Sequence, residues 1–362
     1  MMDGASEQSR RVEGALGHIS VMEREVVRLV TAQAVEQGRP LRCVDLTLGL
    51  AGHARAVAEI LPAGSQVIGF DRDPAALERA KARMSEPGIE GIQTLFIQAS
   101  FAEAEECLRA RGMVPVDFVL FDLGLNSTQL DAGERGFSLM SSGPLDMRMD
   151  PEGGGVTAGD LLNTLDAERL ADIFWLLGEE RYSRRIARAL VKGRPWQSTL
   201  EVAEAISRAV GGRKGAKIHP ATRCFQALRM AVNDELGAIR AGLPAAGRIL
   251  RAGGVMAVIS FHSLEHRLVK TFFRAGARRC LCPEEQPVCT CRFEPIFRWE
   301  QRREQRPTAE ETADNPRSRS AAMRWARRTD APWREDAFAQ WESSGILDDW
   351  QRLEAWCVRR SQ

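Results

Sequence analysis

Three short apolar runs in this chain each end on a carboxylate: Leu41 to Asp45, Gln66 to Asp71 and Val116 to Asp122. In an open α/β sheet the ligand crevice lies outside the carboxyl ends of the strands, so three acidic tips would meet at one edge. Behind the first tip comes Gly49-Leu-Ala-Gly-His53, a glycine turn between a strand and a helix. It departs from the G-x-G-x-x-G pattern of dinucleotide sites, but its backbone can still approach an adenosine-containing ligand. Asp71, about 20 residues further on and at the next strand end, is placed to accept from ribose hydroxyls. Asp73 supplies the cap of a helix opening at Pro74. Asp122 and Asn126 belong to a strand end and turn where a substrate would meet a bound cofactor. Taken singly, each segment is equally an ordinary strand-ending turn, and their combination carries the functional reading.

The elements that must position these residues follow from periodicity. Met22, Val26, Leu29, Val30 and Val35 mark a helix over 21–36. Strands are expected at 41–46, 66–71, 93–98 and 116–122, alternating with helices at 52–61, 74–84 and 102–111, the signature of a parallel sheet wrapped by helices. From 128 to 215 the pattern is helical, at 160–177, 182–192 and 199–210, which reads as an inserted helical subdomain. The sheet pattern resumes with a helix over 222–241, a strand entered at Gly253, a helix through Leu264 to Phe273, and an edge strand from Phe293 to Trp299. An α/β domain formed by 18–127 and 216–328 is thus expected to be interrupted by 128–215 and followed by 329–362. That last part contains Trp333, Trp341, Trp350 and Trp356, too aromatic for a loose tail. Arg135 to Asp150 is a long polar loop of the kind used as a lid.

At 362 residues, 44% hydrophobic and 27% charged, the chain has ordinary globular usage. A run of about 18 apolar residues is absent from the sequence, so no membrane span is expected. Asp3, Glu7 and Glu13 argue against a secretory signal, and the eight cysteines therefore read as reduced thiols. Cys280-x-Cys282 and Cys289-x-Cys291 raise zinc, but a one-residue gap is awkward for two ligands on one metal, so they read as thiols on a loop and no metal is expected. Net charge is +1, unevenly spread: Arg181 to Arg194 holds six basic residues and Asn315 to Arg328 five arginines, neither with an acid. Clustered arginine suggests local phosphate contact.

Longer strings then fall in a familiar order: Asp45-Leu-Thr-Leu-Gly-Leu-Ala-Gly-His53, Gly69-Phe-Asp-Arg-Asp-Pro74, Asp122-Leu-Gly-Leu-Asn-Ser-Thr-Gln-Leu-Asp131 and Gly143-Pro-Leu-Asp-Met-Arg-Met-Asp150. His219-Pro-Ala-Thr-Arg-Cys-Phe-Gln-Ala-Leu-Arg229, Val232-Asn-Asp-Glu-Leu236, Ile259-Ser-Phe-His-Ser-Leu-Glu265 and Asn315-Pro-Arg-Ser-Arg-Ser320 follow. Over residues 18–328 the chain resembles the bacterial small-subunit ribosomal RNA cytosine-N4-methyltransferase (MraW/RsmH) family. The resemblance implies a Rossmann-like sheet that uses S-adenosyl-L-methionine, with an inserted helical domain that helps recognise RNA. It implies as substrate the exocyclic N4 of a cytidine in the decoding region, in small-subunit ribosomal RNA or the assembled small subunit. A cytoplasmic location is implied, organellar if the source is eukaryotic, and the oligomeric state stays open, a dimer included.

Family cofactor positions carry over to Ala51, Gly52, His53, Asp71, Phe101, Asp122 and Gln129, with Phe101 facing adenine. Asp122 and Asn126 are the catalytic candidates, as acceptors for an amino hydrogen. The chain departs from the family pattern at three places: Ala51 replaces a glycine, Asn126-Ser-Thr128 replaces Ser-Ser-Pro, and His266 replaces an acid. The alternative is a noncatalytic RNA-binding or ribosome-assembly factor that retained the fold.

Overall fold

The computed structural model describes residues 20–124, 135–139, 141–212, 219–283, 285–299, 301 and 303–357. Helix α1 (Glu23–Gln37) leads into alternating strands and helices: β1 (Arg42–Asp45), α2 (Gly52–Ala58), β2 (Gln66–Asp71), α3 (Pro74–Met84), β3 (Gln93–Gln98), α4 (Ala104–Ala110) and β4 (Val116–Asp122). Local chemistry sets these bounds. Asp73 accepts from the Ala75 N–H at 3.0 Å and Pro74 takes the first helical position, so α3 starts where the sequence places it.

Strands β1 to β5 run parallel, with β5 spanning Leu250–Ser260; with β6 (Phe297–Arg298) and β7 (Ala322–Arg328) added, the sheet order is β3-β2-β1-β4-β5-β7-β6. Both faces are covered. Along β4, Phe118 and Leu120 enter one apolar cluster while Val119 and Phe121 enter the other, the two-residue alternation of a strand packed on both sides.

Between β4 and β5 the described residues form six helices: α5 (Ala158–Thr164), α6 (Ala167–Leu176), α7 (Ser183–Lys192), α8 (Thr199–Ala209), α9 (Thr222–Asn233) and α10 (Glu235–Ile249). Two helices expected as single pieces are each divided. The 160–177 segment breaks where Asp166 caps α6 by accepting from the Arg169 N–H at 2.9 Å. The 222–241 segment breaks at Asp234, left-handed at φ 51°, whose carboxylate caps α10 through the Gly237 N–H at 3.1 Å. In both cases an Asx cap competes with helix continuation, which periodicity does not register.

After β5 come α11 (Ser263–Gly276), β6 (Phe297–Arg298), α12 (Ala309–Asp314) and β7 (Ala322–Arg328). The expected edge strand over Phe293 to Trp299 thus shrinks to two residues. The arginine-rich stretch is in its second half a strand, antiparallel to β5, with Ser260 opposite Ala322 and Val255 opposite Arg327. Charged residues at strand positions hid it.

The C-terminal segment, with α13 (Ala339–Glu342) and α14 (Gly345–Cys357), packs on the body of the molecule. Phe338 stacks on Phe272 at 4.9 Å, and the Trp341 indole donates to the Leu268 carbonyl at 3.0 Å. Among the described residues, no helix is long and apolar enough to cross a membrane.

Candidate active site

The chain progresses outward from β1 to β2 and β3 on one side and from β4 to β5 on the other. The carboxyl ends of β1 and β4 are therefore the switch point at which an open sheet forms its crevice. Asp45 ends β1, Asp71 ends β2 and Asp122 ends β4.

Thr47 joins the two central tips. Its N–H donates to Asp45 Oδ1 at 3.1 Å, and its hydroxyl oxygen accepts from the Asp122 N–H at 2.6 Å. Among the described residues, Asp45 Oδ2, Asp122 Oδ1 and both ring nitrogens of His53 are buried without a hydrogen-bond partner. His53 Nε2 lies 3.5 Å from Asp122 Oδ2. Burial pushes the Asp45 carboxyl up to about 6, with the charges of Asp122 and Asp71 adding and His53 and the Thr47 N–H opposing. Burial also resists charging His53, but Asp122, Asp45 and Glu23 outweigh it and leave the imidazole pKa raised. An unpartnered buried polar atom costs about 1 to 3 kcal/mol, so these atoms gathered at one sheet edge mark a cradle for a polar ligand.

The glycine turn is held from β2. Asp71 Oδ2 accepts from the Gly49 N–H at 2.8 Å and Oδ1 from the Asp73 N–H at 2.9 Å, which leaves each oxygen further acceptor capacity. Burial raises the Asp71 pKa against those two N–H groups. Ala51 sits at φ 58°, ψ 29°, and is fully buried in an apolar cluster with Met22 and Val26. The residue is therefore covered by protein. Gly52 is needed for close packing, because a Cβ there would stand 1.9 Å from Ser20 Oγ. Phe101, just past β3, sits edge-on to Phe121 with ring centres 5.4 Å apart.

The described part of the Arg135–Asp150 loop is fastened to this edge. Arg135 donates to Asp73 and to the carbonyls of Arg148 and Met149. Asn233 accepts from the Met149 N–H at 2.7 Å and donates to the Met147 carbonyl at 2.8 Å.

Past β5, Glu265 caps α11 by accepting from the Phe261 N–H at 2.8 Å and approaches His262 Nε2 at 3.0 Å. Burial works against its charge, but His262, the Phe261 N–H and Arg229 hold the Glu265 carboxyl at about 2. Glu235 lies close to this pair and is engaged twice by Arg229, at 2.6 and 2.7 Å, so a guanidinium already supplies the cation.

A sequence model of the MraW methylase family matches residues 15–329. The chain belongs to that family. It is 46% identical over 291 residues to "Ribosomal RNA small subunit methyltransferase H" of Dehalococcoides mccartyi, covering 80% of this chain and 82% of the relative. The relative of the same name from Thermomicrobium roseum is 47% identical, with 79% and 87% covered. That from Caulobacter vibrioides is 45% identical over 336 residues, with 91% and 99% covered.

Within this MraW-family frame, the structure brings Ala51, Gly52, His53, Asp71, Phe101 and Asp122 to one edge. Asn126 and Gln129 lie outside the described residues. Asp45 was singled out in the sequence only as an acidic strand end, and Thr47, Arg135, Asn233 and the Arg229–Glu235 pair were not singled out as site residues, although most stood inside the quoted strings. His266, the departure from an acid, bonds Ser260 Oγ at 2.6 Å at the carboxyl end of β5. Three arginines read as phosphate contacts are used internally. Arg324 pairs with Glu304, Arg327 with Glu36 at 3.0 Å, and Arg328 with the Thr329 carbonyl at 2.9 Å.

Proposed function

We propose that the chain transfers a methyl group from S-adenosyl-L-methionine to the exocyclic N4 of a cytidine in small-subunit ribosomal RNA. The observation that carries this reading is the pair of buried carboxylate oxygens, Asp45 Oδ2 and Asp122 Oδ1, that have no hydrogen-bond partner among the described residues, at the switch point. The residues present fit the cofactor: Asp71 keeps acceptor capacity for ribose hydroxyls, Phe101 offers a ring edge for adenine, and the Gly49–His53 turn and Asp45 line the part nearer β1. When bound, S-adenosyl-L-methionine supplies an electrophilic methyl group on a cationic sulfur.

The protein's own part is to orient the amine and handle its proton. Cytosine N4 is a poor nucleophile because its lone pair is delocalised into the ring. Asp122, accepting one amino hydrogen, draws the nitrogen toward a pyramidal geometry and takes up the proton released. His53 beside it balances the carboxylate charge before that uptake. Holding the partners in line supplies much of the remaining rate, and the base must leave its stack at a cost of about a few kcal/mol. The segment 128–215, which carries α5 to α8, is the proposed RNA-recognition insert, with Arg184, Arg185, Arg188 and Lys192 exposed along α7. The exposed arginines Arg317 and Arg319 form a second basic patch. Ribosomal RNA from a deletion strain carrying either the wild-type chain or Asp122→Asn, digested to nucleosides and analysed by mass spectrometry, tests the reading. N4-methylated cytidine restored by the wild type and not by the variant is expected. Its absence with the wild-type chain overturns the proposal, and methylation of free RNA against assembled subunits identifies the substrate form.

A further inference from the structure

The loop joining α11 to β6 carries Cys280, Cys282, Cys289 and Cys291, and one Sγ from each lies within 4.8 Å of the others. Cys280 and Cys289 are 3.4 Å apart, Cys289 and Cys291 3.5 Å, and Cys280 and Cys291 3.7 Å. Four sulfurs bound tetrahedrally at about 2.3 Å from zinc would be about 3.8 Å from one another. The one-residue gaps, awkward on paper, are therefore compatible with one centre, because the two pairs reach it from opposite ends of the loop.

Packing does not account for this gathering. None of the four cysteines is buried, and Val288 between them is 69% exposed. Hydrophobic burial therefore gives the loop little reason to hold its thiols together. Backbone donors instead face the sulfurs: the Leu281 N–H bonds Cys291 Sγ at 3.3 Å, the Cys282 N–H bonds Cys280 Sγ at 3.3 Å, and the Thr290 N–H bonds Cys282 Sγ at 3.5 Å. Such N–H to sulfur bonds orient metal-bound thiolates and spread their charge. Arg278, Arg279 and Arg292 flank the cluster in sequence and complement the net negative charge that four thiolates leave on a divalent ion.

We propose that Cys280, Cys282, Cys289 and Cys291 form a structural tetrathiolate zinc site, separate from the methyl-transfer crevice. Its place in the fold defines its work. The loop ends in Phe293 and Ile296, both buried, and delivers β6, whose Phe297 packs against Phe273 and Trp333. A closed zinc centre fixes that connection, and with it the seat of the C-terminal segment.

The full chain, purified under reducing conditions without chelator, should contain about one zinc per molecule by plasma mass spectrometry. Cobalt exchanged into the site should show the visible absorption of a tetrahedral thiolate complex. The double variant Cys282→Ser, Cys291→Ser should lose the metal and keep its affinity for S-adenosyl-L-methionine. Should the variant fail to fold, the wild type stripped by a strong chelator and reloaded with zinc gives the same information. Proteolytic cleavage between Cys282 and Cys289 should be faster by at least about tenfold in the stripped form, because bound metal suppresses the opened loop by mass action. A reduced wild-type chain that neither carries nor takes up zinc or cobalt overturns the proposal. So do iron in place of zinc, two disulfides in the native protein by intact mass, or a variant that keeps its full equivalent of metal.

Discussion

His53 Nε2 and Asp122 Oδ2 lie 3.5 Å apart at the switch point of the sheet, one at the start of α2 and the other at the end of β4. The carboxylate contributes to the raised imidazole pKa, and the imidazole in turn stands beside the proposed proton acceptor. Asp122→Asn separates these roles. Turnover should fall by about 100-fold or more, the usual loss on removing a general acid–base group. The His53 pKa, followed by NMR titration, should drop as the neighbouring charge disappears. Wild-type turnover in the variant would remove Asp122 from the chemistry, whatever happens to His53.

Asp45 gives a pH signature. Its folded-state pKa of about 6 lies above the unfolded value of 3.8, so the unfolded chain releases this proton first as pH rises. The contribution of Asp45 to stability therefore declines between about pH 4 and 6 and stays unfavourable above, by roughly 3 kcal/mol at most. Asp45→Asn keeps the shape and the acceptor for the Thr47 N–H while removing the charge. The variant should gain more thermal stability over wild type at pH 8 than at pH 4.5. An equal change at both values would show that Asp45 ionises normally.

Ala51 carries a Cβ at φ 58°, where side chains other than glycine cost about 1 to 2 kcal/mol. Its methyl group recovers part of this by burial. Ala51→Gly should raise stability by up to about 1 kcal/mol, with little effect on cofactor affinity because the residue is covered by apolar neighbours. Calorimetric titration with S-adenosyl-L-methionine checks the second half. A large gain in affinity would show that Ala51 crowds the ligand after all.

The two arginine populations should behave differently. Arg184 and Arg185 are exposed on α7, whereas Arg324 is 6% exposed and paired with Glu304. Replacing Arg184 and Arg185 by alanine should weaken RNA binding and reduce its logarithmic salt slope by about 0.7 to 0.9 per lost phosphate contact. Arg324→Ala should instead lower the melting temperature. An unchanged slope in the first variant would exclude α7 as a docking face.

Trp350 is 1% exposed, and its indole donates to Asp234 Oδ1 at 2.8 Å, the residue that separates α9 from α10. Trp350→Ala should cost about 3 to 5 kcal/mol, as for other buried aromatics. A change below about 1 kcal/mol in denaturant unfolding would mean that α14 docks only loosely.

The sequence by itself determined the parallel half of the sheet. The bounds of β2, β3, β4 and α3 coincide with those read from period and caps, because buried strands and capped helices are specified by residues a few positions apart. It also determined the glycine turn and the acidic strand ends. Tertiary structure decided what depends on distant partners. β7 is a strand because β5 lies beside it and because Glu36 and Glu304, far along the chain, receive its arginines. Only the sheet order brings Asp45 and Asp122 together with Thr47 between them, and only the folded loop brings the sulfurs of Cys280 and Cys289 to 3.4 Å. Periodicity reports which face of an element meets apolar surroundings. The partner of a charged or polar side chain is a matter of three-dimensional proximity, and spacing along the chain does not encode it.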